Sequence, residues 1–174
     1  MDKKEFLIQH LTEGKSYQFI SDKYKIPRTK LTKWWREGLE IRKEIKRANR
    51  LFNARKGKKD FEKFEKLGKR GFFEWYEKQP KKCFYCGIEE EKLKKIFDVE
   101  NGILHTKRNR GSVLELERKD AKNNEYSPEN CVMACYLCNN HKSDLISKDD
   151  HIKYFATDIY NYLNDKYLEL CKKQ

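Results

Sequence analysis

The chain has 174 residues, 39% of them charged and 37% hydrophobic, and a formal net charge of +12. This length suits one ordinary domain with a small accessory one, and the composition predicts a soluble, globular protein. No apolar run approaches the length of a transmembrane helix, and residues 1–5 lack the features of a secretory signal. We therefore expect a cytoplasmic protein with reduced cysteines and no membrane partner.

The positive charge is concentrated in one segment. Residues 23–70 contain 19 Lys/Arg against 6 Asp/Glu, whereas residues 71–174 contain 18 of each sign. A polyanion lying along this segment would release counterions, which gives salt-dependent affinity. A solvated helix face is the alternative, but interleaved aromatic residues favour nucleic acid: these are Trp34, Trp35, Phe52, Phe61 and Phe64.

Two short helices are predicted at the N-terminus. Residues 3–13 carry apolar side chains at helical spacing and stop at a glycine. Ser16 is a suitable cap for a second helix over residues 17–24, with Phe19 and Ile20 facing inward.

Pro27 suits the start of a third helix over residues 28–36, which Gly38 would close. Three short helices in this order resemble a homeodomain-like helix-turn-helix, a unit that places its third helix in the major groove of double-stranded DNA. The resemblance covers about the first 37 residues. It implies DNA contacts by Arg28, Thr29, Lys30, Thr32 and Lys33.

A basic helix is predicted over residues 39–56, and glycines punctuate the following residues. We therefore predict a DNA-binding part over residues 1–56, a linker over residues 57–72 and a second domain over residues 73–174. The basic helix would bury only a narrow apolar stripe, formed by Leu39, Ile41, Ile45, Ala48 and Phe52.

Two Cys-x-x-Cys pairs dominate the second domain. Cys83 and Cys86 form the first pair, and Cys135 and Cys138 form the second. Four thiolates at this spacing predict a closed tetrahedral Zn²⁺ site with a structural role. The two remaining cysteines, at positions 131 and 171, are expected to be small buried side chains.

A ββα arrangement is predicted between and after the pairs. Residues 113–117 and 131–134 read as strands joined by a loop, and a helix begins near residue 136. This order, after the N-terminal helices, predicts an α+β fold. It would bring Glu117 and Asn139 face to face, and both supply the oxygen ligands that Mg²⁺ or Mn²⁺ prefers.

Residues 80–145 resemble the HNH or His-Me finger nucleases, in the subclass with a four-cysteine zinc. The resemblance rests on both cysteine pairs, the position of residues 116–118, Asn130 and residues 139–142. It implies that Glu117 and Asn139 hold a catalytic divalent ion, that Asn130 orients the active-site loop, and that Lys142, matching a common helix lysine, contacts DNA.

One position departs from the family. Arg118 stands where the family has its general-base histidine, and arginine stays protonated. We therefore assign Arg118 an electrostatic role toward the scissile phosphate. His105 is the preferred base, delivered by a neighbouring strand over residues 103–106, with Tyr126 and His141 as alternatives.

A last helix is predicted over residues 147–172, with Ser147 as its cap. It would either cover the zinc module or form a homodimer contact, which would let two sites cut both strands.

These features predict a sequence-specific DNA endonuclease of the type II restriction class. A homing or phage-type nicking endonuclease uses the same parts and remains open. A non-catalytic zinc-containing DNA-binding regulator is the rival from another class, because the base histidine is missing.

Overall fold

The computed structural model describes residues 1–173. Within that range the chain is α+β and mostly helical, with nine α-helices and one two-stranded sheet. It divides into two compact units, of which the first spans Met1–Lys78 and the second begins at Gln79. Across the described residues, every helix is too short or too polar to cross a membrane.

The first unit consists of helices packed on an aromatic and aliphatic core. The helices predicted over its first 37 residues are confirmed, and the Ser16 hydroxyl caps the second by accepting from the Phe19 N–H. Ile20 is buried as expected, but Phe19 is 43% exposed, so its predicted inward orientation is wrong. Successive side chains of a helix point about 100° apart around its axis, so Phe19 and Ile20 lie on different faces. The helices are α1 (Lys3–Thr12), α2 (Tyr17–Tyr24), α3 (Arg28–Glu37), α4 (Leu39–Asn53) and α5 (Glu62–Glu77).

The basic helix α4 packs against α5, which occupies much of the predicted linker. The Phe52 and Phe72 rings lie 5.6 Å apart, and Phe61 and Phe64 join the same buried cluster. Gly68 interrupts α5 with a positive φ of 68°. The first unit therefore extends to Lys78, because aromatic burial outweighs the glycines that suggested a linker.

The apolar stripe of α4 is only partly buried. Ile45, Ala48 and Phe52 are buried, whereas Leu39 at the start of the helix is largely exposed. The burial of Leu39 was therefore predicted wrongly, and the buried stripe of α4 contains fewer residues than the predicted one.

The second unit surrounds a two-stranded antiparallel sheet. The strand over residues 131–134 is confirmed, while the first strand begins at Glu115. The predicted last helix is two helices, because the chain breaks near Phe155, where φ is −129°. The elements are α6 (Glu90–Ile96), β1 (Glu115–Arg118), β2 (Cys131–Ala134), α7 (Tyr136–Lys142), α8 (Lys148–Tyr154) and α9 (Ala156–Lys173).

Candidate functional site

Four cysteines of the second unit form one cluster. The sulfur atoms of Cys83, Cys86, Cys135 and Cys138 all lie within 4.8 Å of one another, and Cys86 Sγ and Cys135 Sγ are 3.9 Å apart. Sulfurs at the corners of a tetrahedral zinc site are about 3.8 Å apart, because each Zn–S bond is about 2.3 Å. The cluster could therefore hold a structural metal such as zinc.

The directions of the cysteine pKa shifts also fit a site for a cation. A hydrogen bond with Cys135 lowers the pKa of Cys83, whereas a hydrogen bond with the same residue raises the pKa of Cys138. Closely packed thiols oppose one another's ionisation, so all four become thiolates only when a positive ion offsets their charge.

Local hydrogen bonds build the cluster from two segments. Gly87, at a positive φ of 78°, closes a tight turn by donating its N–H to the Cys83 carbonyl at 2.9 Å. The Phe84 N–H donates to the Met133 carbonyl of β2, also at 2.9 Å. Cys135 is the N-cap of α7, and its sulfur accepts from the Cys138 N–H. The cysteine cluster therefore sets where α7 begins.

Four polar side chains lie where β1 and α7 meet, two on the strand and two on the helix. Glu115 and Glu117 alternate along the strand and share one face, while Asn139 and Lys142 are three residues apart on the helix. Asn139 Nδ2 donates to Glu115 Oε2 at 2.7 Å, and Lys142 Nζ donates to Glu117 Oε1 at 3.1 Å. Asn139 therefore pairs with Glu115, and Glu117 pairs with Lys142. A direct meeting of Glu117 and Asn139 stays a prediction.

Glu115 has both carboxylate oxygens engaged. Arg110 approaches it with Nε 3.0 Å from Oε1 and Nη2 2.7 Å from Oε2, and its guanidinium lies 4.9 Å from the Tyr136 ring centre. Sequence reasoning missed Glu115 and Arg110. The alternation of residues 114–117 could have revealed Glu115, because it places this residue on the face of Glu117.

Lys142 is buried, with 1% of its side chain exposed. Its ammonium donates to Glu117 Oε1, to the Arg118 carbonyl and to the Ser143 carbonyl, at 3.1, 3.1 and 3.3 Å. The predicted DNA contact by Lys142 is therefore wrong, because the charge faces internal oxygens. Burial raises the pKa of Glu117 above its ordinary value, although the hydrogen bond from Lys142 opposes this shift.

Arg118 leaves β1 on the face opposite Glu117. Its guanidinium donates to the Asn124 side chain and lies 4.8 Å from the centre of the Tyr126 ring. Both partners belong to the loop between the strands, so Arg118 and Tyr126, two predicted site residues, are brought together there.

Asn130 organises this loop. Its Oδ1 accepts from the Asp120 N–H at 2.9 Å, and its Nδ2 donates to the carbonyls of Asp120 and Glu125 at 2.9 and 2.8 Å. The Asn130 side chain is buried, and its own N–H donates to the Ser127 hydroxyl. A single amide thus holds the loop that follows Arg118.

The strand predicted around His105 does not form. Residues 103–106 are irregular, and the N–H groups of Ile103 and Leu104 donate to the Ile96 carbonyl at the end of α6. These residues hydrogen-bond to the end of α6 in a turn instead of pairing with a strand. The His105 side chain is exposed. His141 is also exposed, with its ring 4.6 Å from that of Phe155.

The two cysteines outside the cluster differ in exposure. Cys131 is buried in β2, as expected, but Cys171 is exposed on α9, so its predicted burial is wrong. Cys171 lies near the end of a helix whose buried residues are Ala156, Leu163 and Leu170, and it falls on another face.

The surface of α3 in the first unit is polar and accessible. Lys30 stacks over the Trp34 ring at 5.1 Å, and Lys33 lies 3.8 Å from Glu37. Leu31 is the buried residue of this helix. All five side chains predicted to touch DNA are exposed: Arg28, Thr29, Lys30, Thr32 and Lys33.

No protein-family model, curated protein or solved structure matches the chain.

Proposed function

We propose that this chain is a metal-dependent DNA endonuclease of the HNH type, acting as a sequence-specific restriction enzyme. The observation that carries the proposal is the polar face formed by β1 and α7, which carries Glu117 and Asn139, together with the four-cysteine cluster at the start of α7. The order of strand, loop, strand and helix supports a ββα-metal unit.

The proposed ion is Mg²⁺ or Mn²⁺, held by Glu117 and Asn139. When bound, it supplies Lewis-acid stabilisation of the phosphate and of the leaving oxygen. Arg118 is proposed to offset charge on the phosphate oxygens. Since it leaves β1 on the face opposite Glu117, its guanidinium must turn away from Asn124 and Tyr126 to reach a phosphate held by the ion. His105 is the proposed general base, with Tyr126 and His141 as alternatives, and separate substitutions of the three side chains assign that step.

Recognition is proposed for the first unit. Helices α1 to α3 act as a helix-turn-helix, with the exposed side chains of α3 in the major groove of double-stranded DNA. The excess positive charge of residues 23–70 supplies affinity for the phosphate backbone.

The test is incubation of the purified, zinc-loaded chain with long duplex DNA of varied sequence. Parallel samples contain Mg²⁺, Mn²⁺ or chelator, and the ends produced are mapped on both strands. We expect ends at one recurring sequence that disappear with chelator and in Glu117→Ala. Paired ends support the restriction role, and cuts on one strand support a nicking enzyme instead.

A non-catalytic DNA-binding regulator is the second candidate. Two observations favour it: the arginine at position 118 and the internal ion pair between Lys142 and Glu117. Intact DNA under every condition, together with salt-sensitive binding that Glu117→Ala leaves unchanged, would establish the regulator and contradict the nuclease.

A further inference from the structure

A short basic segment of the second unit, residues 106–110, lies shortly before β1 in the sequence and is called the basic loop below. We infer that Lys107 and Arg108 of this loop bind phosphates of the nucleic-acid backbone and give the second unit its own contact with the substrate. This inference rests on the proposed function, and it adds a second binding surface to the one proposed for α3.

The basic loop is a local excess of positive charge in a unit whose charge is otherwise balanced. Residues 101–114 contain three Lys/Arg, at positions 107, 108 and 110, and no Asp/Glu, whereas residues 71–174 contain 18 of each sign. The side chains of Lys107 and Arg108 are exposed, and within the range 1–173 neither forms an ion pair. Both charges are therefore available to an external anion.

Hydrogen bonds between its two ends hold the basic loop in a closed turn. The Thr106 hydroxyl accepts from the Arg110 N–H at 2.6 Å and donates to the Arg110 carbonyl at 3.0 Å. The Asn109 N–H donates to the Thr106 carbonyl at 3.0 Å, and Asn109 has a positive φ of 49°. Lys107 and Arg108 therefore lie inside a turn whose backbone is already ordered, which lowers the entropic cost of binding an anion there.

Arg110 anchors the basic loop to β1 and α7. Its guanidinium binds Glu115 of β1 through two nitrogens, at 3.0 and 2.7 Å, and lies 4.9 Å from the ring centre of Tyr136 on α7. Gly111 follows with a φ of 113°, and a Cβ at this position would come within 2.6 Å of the Phe97 ring. The charge of Arg110 is thus matched inside the protein, so the loop is fixed in place by a residue that does not compete for an external anion.

Backbone phosphates of a nucleic acid suit this pair of cations. Arginine offers phosphate a planar fork of donors and lysine offers a compact charge, and contacts of both kinds fix the position of a duplex without reading its sequence. Each neutralised phosphate releases counterions, so the contribution of the loop to affinity depends on salt. We therefore expect the basic loop to strengthen binding equally for all sequences, whereas α3 is proposed to select the site.

The test measures binding of the full zinc-loaded chain to duplex DNA, without added Mg²⁺ or Mn²⁺. Fluorescence anisotropy over a range of salt concentrations compares wild type with the double variant Lys107→Ala, Arg108→Ala. The control Lys153→Ala, Lys172→Ala removes the same charge from exposed positions of α8 and α9. We expect the slope of log affinity against log salt to fall in magnitude by about 2 in the loop variant, one for each lost phosphate contact, and to keep its wild-type value in the control.

A chemical footprint of the wild type locates the contact without depending on the folding of any variant. Exposed lysines are acetylated with and without duplex DNA, and the modified positions are read by mass spectrometry. We expect DNA to protect Lys107 and to leave Lys153 reactive. The protection should persist at saturating DNA in the triple variant Arg28→Ala, Lys30→Ala, Lys33→Ala, because the basic loop makes its own contact.

The outcomes separate this inference from the proposed function. An unchanged slope in the loop variant, an equal change in the control, or full reactivity of Lys107 in the DNA complex overturns the role of the basic loop alone. A footprint at Lys107 on DNA that the chain never cuts supports the inference and contradicts the nuclease. Absence of DNA binding by the wild type at low salt overturns both together.

Discussion

Asn139 donates a 2.7 Å hydrogen bond from its amide nitrogen to Glu115, a carboxylate that Arg110 already binds through two of its nitrogens. Glu115 therefore acts as a support for Asn139, while Glu117 remains the carboxylate proposed to hold an ion. The two glutamates share a face of β1 but have different partners.

This difference predicts unequal effects of substitution. We expect Glu117→Ala to abolish metal-dependent cleavage and Glu115→Ala to lower the cleavage rate about 10–100-fold, because only orientation of Asn139 is lost. Single-turnover cleavage with saturating DNA measures both. Glu100→Ala, at an exposed carboxylate, is the control. Equal loss in the two variants would contradict the separate roles.

Removal of zinc should unfold the second unit. The cluster joins the turn around Gly87 to the start of α7, and structural zinc sites contribute folding free energy directly. We expect one zinc per chain by elemental analysis, and loss of helical circular dichroism with a strong chelator or in Cys83→Ser. Cys171→Ser, at an exposed cysteine, should keep its zinc and its melting temperature. Normal stability without zinc would contradict a structural role.

Asn130→Ala should destabilise the protein by about 2–4 kcal/mol. The substitution removes three side-chain hydrogen bonds to backbone groups of Asp120 and Glu125. Chemical denaturation of the second unit, followed by a probe placed there, measures the loss. Asn123→Ala, in the exposed part of the same loop, should change stability little, and a similar loss there would argue against Asn130 as the organising residue.

The basic surface of α3 should govern DNA affinity and site preference. We expect the triple variant Arg28→Ala, Lys30→Ala, Lys33→Ala to weaken binding. We also expect the slope of log affinity against log salt to fall by about 1 for each removed side chain that neutralised a phosphate. Fluorescence anisotropy over a range of salt concentrations measures both.

The matched control for α3 removes the same charge elsewhere, by alanine at Lys56, Lys58 and Lys59, which are exposed beyond α4. This control should keep its preference for the mapped cleavage sequence. Equal loss of preference in the two triple variants would show that net charge, and not α3, governs recognition.

His151 should make the second unit sensitive to acid. The residue is fully buried, and neither ring nitrogen has a hydrogen-bond partner among residues 1–173. Burial lowers the pKa of its imidazole, and the charge of His141 lowers it further. Unfolding lets it take up a proton near its ordinary pKa of about 6.5. Stability is therefore fully present above that pH and falls as the pH drops toward the folded-state pKa.

The substitution His151→Phe should remove this sensitivity. An apolar ring of similar shape has no buried nitrogen to desolvate, and it keeps the ring contacts with Tyr85 and Phe155. We expect the variant to gain stability relative to wild type between pH 7 and pH 5, measured by thermal unfolding. A difference independent of pH would exclude protonation of His151 as the cause.

Much of the local structure followed from the sequence. The caps at Ser16 and Ser147, the buried strand β2 and the start of α7 depend on residues close together in the chain, and each was predicted correctly. The four-cysteine cluster was also predictable, because two Cys-x-x-Cys pairs have the spacing that is typical of zinc sites.

The partners on the candidate site were decided by tertiary structure alone. Glu117 and Lys142 are 25 residues apart, and Glu115 and Asn139 are 24 apart. Which pairs meet depends on the register of β1 with β2 and on the rotation of α7 about its axis, and neither is encoded by local spacing. The aromatic packing that turned a predicted linker into α5, and the turn that left His105 exposed, are long-range outcomes of the same kind.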